Sequence, residues 1–395
     1  MTRYTKIIAT VGPASSGKST LTKLIKAGVD VFRFNLSHGT HDEHHETLKI
    51  IRAISVQLNK KVGILFDLAD PKLRSLTKNG NTSAVRAASI KPLSKKVYDD
   101  VRFAIAQKAD WLALSFVRHG SDIKALKNYL KRQNSSISVM AKIEKKEAVL
   151  NIDSIIDEAQ AVMIARGDLG IELPLEEVPL IQKRVIDKCM RRGKIVVTAT
   201  QMLESMIENP TPTRAEVSDI ANSIFDQADA VMLAGETAVG KYPAQAVETM
   251  AKVIARTETA IDYGKLLESK AHWVSKQVTD AISFASCELV HDLAASLLVS
   301  STQSGTTAMR VAAYRPPAPI LAVTPDVGVI NKLKLAWGVI PFLIKPSKDI
   351  NDMFAKAKKA AAGSSLVRKG DKIVITAGAL VNLPGTTNLI KVEEI

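Results

Sequence analysis

The chain has 395 residues, of which 46% are hydrophobic and 24% charged, and this composition is typical of a folded globular protein rather than a disordered one. Its length favours one large domain followed by a smaller one. The net charge of +14 is spread along the chain and aromatic residues make up only 5%, so small anionic ligands are favoured over nucleic acid. A basic surface that only promotes solubility is the alternative.

Two further features indicate where the protein works. Cys189 and Cys287 lie far apart and without the spacing of a metal site, which suits a reducing compartment. No apolar segment approaches the ~18 residues of a membrane span, and the opening MTRYTKIIAT does not have the pattern of a secretion signal. We therefore expect a cytoplasmic protein without a membrane partner.

The first motif along the chain is GPASSGKS, at residues 12–19, which matches the phosphate-binding loop pattern G-x-x-x-x-G-K-S. Pro13 removes one amide donor from a loop whose amides should hold phosphate. No apolar strand ending in a magnesium-binding aspartate accompanies it outside the strands described next. We therefore predict an ordinary loop between a strand and a helix.

Short apolar segments alternate with amphipathic helical patterns through the first two thirds of the chain. The predicted strands cover residues 6–11, 31–36, 63–68, 111–116, 138–144, 161–168, 194–201 and 230–236. Continuously apolar strands are typical of a parallel sheet that is buried on both faces. Eight β/α units in about 255 residues predict a TIM (β/α)8 barrel.

Polar residues recur where these predicted strands end. They are Arg33, Asn35, Asp67, Ser115, Lys142, Glu144, Asp168, Thr200 and Glu236. The chemistry of a TIM barrel lies at the carboxyl ends of its strands. A chance distribution would not place polar residues at the same end of so many strands, so we predict the active site there.

Beyond about residue 270 the pattern changes. A long helical segment leads into apolar strands at residues 295–302, 319–324, 339–344 and 371–378, which alternate with helical segments. This pattern predicts a second, smaller α/β domain. The predicted domains are residues 1–265 for the barrel and residues 266–395 for the C-terminal α/β domain.

Several motifs follow these elements in a fixed order. They are RFNLSHG after the second strand, KIE on the fifth, ARGDLGIELP on the sixth, TATQMLESM on the seventh, and PTPTRAEVSDIANSIFDQADAVMLAGETAVGKYP through the eighth. Together with TQSGTTAMRVAAYRP and LPGTTN near the C-terminus, they resemble the pyruvate kinase family. That family begins with a strand followed by T-x-G-P-A-S, which residues 10–15 resemble.

The resemblance implies a glycolytic kinase. Pyruvate kinases transfer the phosphoryl group of phosphoenolpyruvate to ADP, giving pyruvate and ATP. Members of the family assemble as homotetramers, so the resemblance implies the same assembly for this chain. The resemblance also implies a phosphorylated effector bound near the loop between Thr302 and Thr307.

By the family's motif, Glu144 and Asp168 bind Mg²⁺ or Mn²⁺, and carboxylate oxygens suit such hard cations. A salt-bridging pair is the alternative. The resemblance makes Lys142, Thr200, Arg33 and Arg74 catalytic. Lys142 would neutralise the migrating phosphoryl group, and Thr200 would lie on a proton route through water.

The same resemblance implies that the substrate is bound by Gly167, Asp168, Thr200 and Lys142. The amides of Gly167 and Asp168 would hold the substrate carboxylate at a helix N-terminus. Arg33 offers a fork for phosphate, although a buried ion pair with Asp67 would also explain it.

A nucleotide and monovalent-cation corner is implied as well. Its residues are Asn35, Ser37, His38, Asp67 and Lys72. Potassium-dependent relatives carry a hydroxyl residue and a glutamate where this chain has Leu68 and Lys72. The Lys72 ammonium can supply the positive charge that potassium gives those enzymes, so we expect that K⁺ is not required.

The chain also departs from the family pattern. Asp70 replaces a glycine in DLADPKLR, Lys145 and Ala148 replace an asparagine and a glycine in KIEKKEA, and Val97 replaces an aspartate. The largest departure is the absence of the β-barrel lid domain that pyruvate kinases insert between the positions of Arg74 and Leu93. Residues 75–92 are predicted to form only a short loop.

Residues 71–98 contain seven basic residues and no acidic one: Lys72, Arg74, Lys78, Arg86, Lys91, Lys95 and Lys96. This segment would attract ADP phosphates or simply be a solvated loop. A missing lid admits water, which weakens electrostatic stabilisation. Two hypotheses follow: an active pyruvate kinase without a lid, with impaired turnover, or a catalytically weak or inactive relative that binds metabolites.

Overall fold

The structure is a computed structural model that describes residues 3–68, 93–379 and 387–395. The predicted loop at residues 75–92 and the site candidates Lys72 and Arg74 lie outside the described residues, as does Asp70. The chain is divided into two compact units. One contains residues 6–189 and 196–254, and the other contains the N-terminal residues through Thr5, residues 190–195 and residues 255–395.

The first unit is a closed barrel of eight strands. The strands are β1 Lys6–Thr10, β2 Val31–Asn35, β3 Gly63–Leu68, β4 Trp111–Leu114, β5 Ser138–Ile143, β6 Ala161–Ala165, β7 Ile195–Ala199 and β8 Ala230–Leu233. The barrel closes where β1 pairs in parallel with β8, with Lys6 opposite Ala230. Almost every strand residue is buried, as the continuous apolar segments predicted, and the TIM barrel is confirmed.

Helices follow the strands of the barrel. They are α1 Lys18–Ala27, α2 His41–Gln57, α3 Lys95–Ala106, α4 Gly120–Arg132, α5 Lys146–Leu150, α6 Ile152–Glu158, α7 Arg166–Glu172, α8 Glu177–Arg191, α9 Arg214–Phe225, α10 Gly235–Ala238 and α11 Pro243–Glu258. Capping boxes with threonine at the N-cap begin two of them, with Thr40 bonded to Glu43 and Thr213 bonded to Glu216. The sixth strand is shorter than predicted, because the chain becomes helical at Arg166.

The second unit is a smaller α/β domain. Its elements are α12 Tyr263–Ser269, α13 Val278–Asp292, β9 Leu297–Ser301, α14 Thr306–Tyr314, β10 Ile320–Thr324, α15 Val327–Leu333, β11 Val339–Leu343, α16 Ile350–Ala362, β12 Lys372–Gly378 and β13 Thr387–Glu394. The sheet order is β11-β10-β9-β12-β13, and β13 is antiparallel to β12. The strand β13 was not predicted from the sequence. Within the described ranges, no helix is long and apolar enough to cross a membrane.

Four amides in the first part of the loop at residues 12–19 bond within the protein. The amide of Ala14 donates to the carbonyl oxygen of Ala238 at 3.0 Å, and the amides of Ser15 and Ser16 donate to the carbonyl oxygen of Gly12. The amide of Gly12 donates to Ser15 Oγ at 3.2 Å. These donors are not available to a phosphate, and the segment lies between β1 and α1, so it is the first β/α loop of the barrel, as predicted.

Gly12→Ala should destabilise the barrel by roughly 1–3 kcal/mol, because the added Cβ would lie 2.5 Å from the carbonyl oxygen of Ala238. Gly17→Ala is the matched control from the same loop. A Cβ at Gly17 meets nothing within 4 Å, and its φ of −71° suits alanine, so this variant should be neutral or slightly more stable. Urea unfolding measures both changes, and equal midpoints would contradict the close approach at Gly12.

Candidate active site

Ionisable side chains from neighbouring strands meet at the carboxyl end of the barrel. Arg33 comes from β2, Asp67 from β3, Lys142 from β5, and Glu144 directly follows β5. All four are less than a tenth exposed. The parallel barrel brings them together because its strands all end at the same rim. The structure therefore joins four of the predicted site residues in one buried ion network.

Lys142 lies at the centre of this network. Its Nζ is 2.8 Å from Glu144 Oε1 and 3.2 Å from Asp67 Oδ2, and it donates to Ser115 Oγ at 2.7 Å. Burial alone would lower the pKa of Lys142, but the negative charges of Asp67 and Glu144 outweigh burial and raise it above its ordinary value. The ammonium therefore remains a fixed positive charge in the site.

The guanidinium of Arg33 is bound to Asp67. Arg33 Nε donates to Asp67 Oδ2 at 2.8 Å, its Nη2 lies 2.7 Å from the same oxygen, and its Nη1 donates to Thr10 Oγ1 at 3.0 Å. Burial raises the pKa of Asp67, but the charges of Lys142 and Arg33 outweigh that effect and hold the pKa below its ordinary value. This geometry is that of the buried ion pair, so a phosphate would have to compete with Asp67 for Arg33.

Glu144 is held by a backbone donor and a side-chain donor. The amide of Phe116, a residue with a φ of 58°, donates to Glu144 Oε2 at 2.6 Å, while Lys142 contacts Oε1. Burial raises the pKa of Glu144 above its ordinary value, although the positive charge of Lys142 acts to lower it. The negative charge of Asp168 adds to the rise. Glu144 and Asp168 therefore repel each other as like charges, and a cation between them would relieve that repulsion.

Asp168 lies in the first turn of α7, which follows β6, and its side chain is exposed. In the part of the chain that the structure describes, no group of three or more His, Cys, Asp or Glu side chains could hold a metal ion. Two carboxylates nevertheless fit Mg²⁺, which is commonly bound by one or two carboxylates together with substrate phosphates and water. The donor chemistry of Glu144 and Asp168 therefore suits a divalent cation shared with a substrate.

Thr200 has a strained backbone next to the proposed substrate site. Its φ is 68°, in the left-handed region that a β-branched residue rarely adopts. Thr200 Oγ1 accepts from the amide of Gly167 at 2.8 Å and donates to the carbonyl oxygen of Ala199 at 2.6 Å. Arg166 Nη2 donates to the Thr200 carbonyl oxygen at 2.8 Å. The Gly167 amide, predicted to bind the substrate carboxylate, is therefore bonded to Thr200 in this structure.

The remaining predicted residues lie where β2 meets α2. Asn35 ends β2, and its Oδ1 accepts from the amide of Ser37 at 3.1 Å. Ser37 and His38 are exposed, and the carbonyl oxygen of His38 contacts His44 Nε2 at 2.9 Å. These residues thus form a surface corner, whereas Asp67, predicted for the same corner, belongs to the buried network.

Sequence reasoning missed several residues that shape the site. Ser115 was noted as a polar strand end but not assigned to the site, although its Oγ also donates to Asp67 Oδ1 at 3.1 Å. The role of Thr10 as a partner of Arg33 depends on the pairing of β1 with β2, in which the two residues are opposite each other. The ion pair of Lys145 with Glu172 joins two residues that are 27 positions apart in the sequence, so no local pattern indicates it.

Comparison with family models accounts for most of the chain. The model described as pyruvate kinase, barrel domain, matches residues 2–91 and 78–247, and the model described as pyruvate kinase, alpha/beta domain, matches residues 280–393. These matches include the barrel and the smaller α/β domain in the predicted order.

Individual relatives agree with the family models. The chain is 37% identical to Pyruvate kinase 2 of Synechocystis sp., with all of this chain and 79% of that protein covered. It is 38% identical to the pyruvate kinase of Bacillus licheniformis, with 99% and 80% covered, and 35% identical to that of Clostridium acetobutylicum, with 99% of each covered. The alignment with the Synechocystis protein runs over 473 positions, whereas this chain has 395 residues. The Synechocystis protein therefore has residues that this chain lacks, in agreement with the predicted absence of the lid.

The strain at Thr200 can be measured by comparing two substitutions. Thr200→Gly and Thr200→Ala both remove the hydroxyl group, but only glycine is free of the penalty for positive φ. We expect the glycine variant to be more stable than the alanine variant by roughly 1 kcal/mol, and both to lose activity. Urea unfolding and a kinase assay test this expectation, and an alanine variant at least as stable as the glycine variant would contradict it.

Proposed function

The chain belongs to the pyruvate kinase family, and from this premise we propose that it transfers the phosphoryl group of phosphoenolpyruvate to ADP, giving pyruvate and ATP. The observation that carries the proposal is the buried ammonium of Lys142 between Asp67 and Glu144 at the carboxyl end of the barrel. Phosphoryl transfer needs fixed positive charge where negative charge moves, and such charge is most effective away from water. This network gives no support to the alternative of an inactive relative.

Glu144 and Asp168 would hold Mg²⁺ or Mn²⁺ as the cofactor. Their mutual repulsion and their hard oxygen atoms support this assignment. When bound, the cation would supply positive charge to the phosphoryl oxygens. The chain itself contributes the orientation of Glu144, through the amide of Phe116 and the ammonium of Lys142.

Arg33 and Lys142 would handle the phosphoryl group. Lys142 remains charged because two carboxylates stabilise it, and it lies near the carboxyl end of β5. Arg33 would release part of its contact with Asp67 to bind a phosphate oxygen, since one carboxylate oxygen now accepts from two of its nitrogens. Arg74, outside the described residues, is kept as a further catalytic residue by the family resemblance.

The Gly167 amide would bind the substrate carboxylate, and Thr200 would take part in proton delivery. If the Gly167 amide turns to the substrate carboxylate, Thr200 Oγ1 loses the donor that it now accepts from. The Thr200 proton, now directed at the Ala199 carbonyl, would have to turn toward a water chain that reaches the enolate carbon. Water is needed because a threonine hydroxyl is too weak an acid to act alone. Substrate binding and proton delivery would thus be coupled through one hydrogen bond.

A nucleotide corner, an effector site and an assembly complete the proposal. Asn35, Ser37 and His38 would face ADP, together with Lys72. A phosphorylated effector would bind between Thr302 and Thr307, where Gly305 has a φ of 82° directly before α14. Assembly into homotetramers is proposed from the family resemblance, and exposed apolar side chains of the barrel unit, among them Ile171, Leu175, Leu180 and Phe225, are available for such contacts. A cytoplasmic location and the domain limits 1–265 and 266–395 remain predictions.

Replacing Lys142 tests the function directly. Lys142→Met should lower kcat roughly 100-fold or more, because it removes the central charge of the network. A coupled assay with phosphoenolpyruvate, ADP and Mn²⁺ measures the loss, and thermal melting checks that the variant is folded. Lys18→Ala, at an exposed lysine of the loop at residues 12–19, is the control and should stay within about twofold. A folded Lys142→Met variant with full activity, or an unaltered chain with none, would refute the proposal.

Potassium should not stimulate the reaction, because the Lys72 ammonium supplies the charge that K⁺ provides in relatives with a glutamate at that position. The measurement compares the rate in KCl with the rates in NaCl and tetramethylammonium chloride at equal ionic strength. A strong increase that is specific to K⁺ would show that the assignment of Lys72 is wrong.

A further inference from the structure

Lys145 places a second buried ammonium next to the proposed metal carboxylates. It directly follows Glu144 in the chain and is 7% exposed. Pyruvate kinases carry an asparagine at this position by the pattern quoted above, so the charge is a departure of this chain. Burying an ammonium group is costly unless it is paired. Its partners therefore indicate what the substitution does.

Lys145 has two partners from different elements. Its Nζ forms an ion pair with Glu172 Oε1, and Glu172 is the last residue of α7. The same ammonium lies 5.7 Å from the ring centroid of Phe116, within the range of a cation–π contact. Lys145 therefore contacts the loop after β4 as well as the helix after β6.

Each of these partners leads to one of the two carboxylates. The amide of Phe116 donates to Glu144 Oε2 at 2.6 Å, so the Phe116 loop positions Glu144. Asp168 lies one helical turn before Glu172 on α7, so an anchor at Glu172 restrains the helix that carries Asp168. One ion pair, between the buried Lys145 and the partly exposed Glu172, thus connects the supports of both carboxylates.

We propose that the ion pair between Lys145 and Glu172 sets the positions of Glu144 and Asp168 for a divalent cation. This inference rests on the metal site of the proposed function and makes Lys145 a positioning residue. Mg²⁺ demands nearly octahedral geometry at about 2.0–2.1 Å, which leaves little tolerance for movement of a ligand. Residues that orient metal ligands typically contribute about 10- to 100-fold to metal affinity.

The test measures metal binding without substrate and without turnover. Free Mn²⁺ is titrated by electron paramagnetic resonance against the full chain and its variants. Lys145→Met and Glu172→Gln should each raise the Kd for Mn²⁺ roughly tenfold or more. Lys145→Arg, which keeps the charge, should stay within about threefold. Lys146→Met is the matched control, because Lys146 is the adjacent lysine on the chain and is exposed. The Kd of this variant for Mn²⁺ should equal that of the unaltered chain.

The double variant separates positioning from simple electrostatics. If the pair positions the carboxylates, Lys145→Met with Glu172→Gln should bind Mn²⁺ no more weakly than the weaker single variant, because the same contact is lost once. If only charge mattered, Lys145→Met would tighten Mn²⁺ binding, Glu172→Gln would weaken it, and the double variant would resemble the unaltered chain. That result would overturn the proposal.

Two further outcomes are decisive. An unchanged Kd in folded Lys145→Met, with melting temperature as the check on folding, would also overturn the proposal while leaving the metal site intact. Failure of the unaltered chain to bind Mn²⁺ would refute the metal site itself, and the positioning role with it. Because the double variant removes both charges, it leaves no unpaired buried ion and provides a folded sample where a single variant fails to fold.

Discussion

Charge balance in a buried space is the constraint on which the site depends. The network contains two cationic side chains, Arg33 and Lys142, and two carboxylates, Asp67 and Glu144, with contacts of 2.7–3.2 Å between them. Removing any one member would leave a buried charge without its partner, which is strongly destabilising. The network is neutral by itself, so an anionic substrate must bring or share an additional cation. The exposed carboxylate of Asp168, beside Glu144, is suited to that purpose.

The barrel makes this arrangement possible because it fixes register. Asn35 of β2 pairs with Asp67 of β3, and Asp67 pairs with Ala113 of β4, so the ends of neighbouring strands lie side by side. Arg33 can therefore reach Asp67 on the next strand while it also contacts Thr10 on the previous one. Neither contact requires a flexible loop. The positions of the charged groups thus follow from hydrogen bonding between strands, which is the most rigid part of the fold.

The sequence predicted the barrel well because its strands are buried on both faces and read as continuous apolar segments. It failed at β13, where seven of the eight residues are at least partly exposed and Lys391, Glu393 and Glu394 are included, so that the strand has little apolar signal. It also predicted which strand ends are polar, but not how they contact one another. Thr200 has a positive φ and accepts hydrogen bonds from Gly167 and Arg166, and no local pattern in the sequence reveals either feature.

Because the network is buried, ionic strength should affect the capture of substrates more than it affects the charges inside the site. Salt screens charges that face water over about 10 Å at 0.1 M, but it screens buried pairs far less. The surplus positive charge of the chain, +14, attracts anionic metabolites from a distance, and that attraction weakens as salt is added. The contacts of Lys142 with Asp67 and Glu144 are sheltered from the same ions. Capture of the substrates therefore depends on the ionic medium, whereas the charges that Lys142, Asp67 and Glu144 contribute at the site are little affected by it.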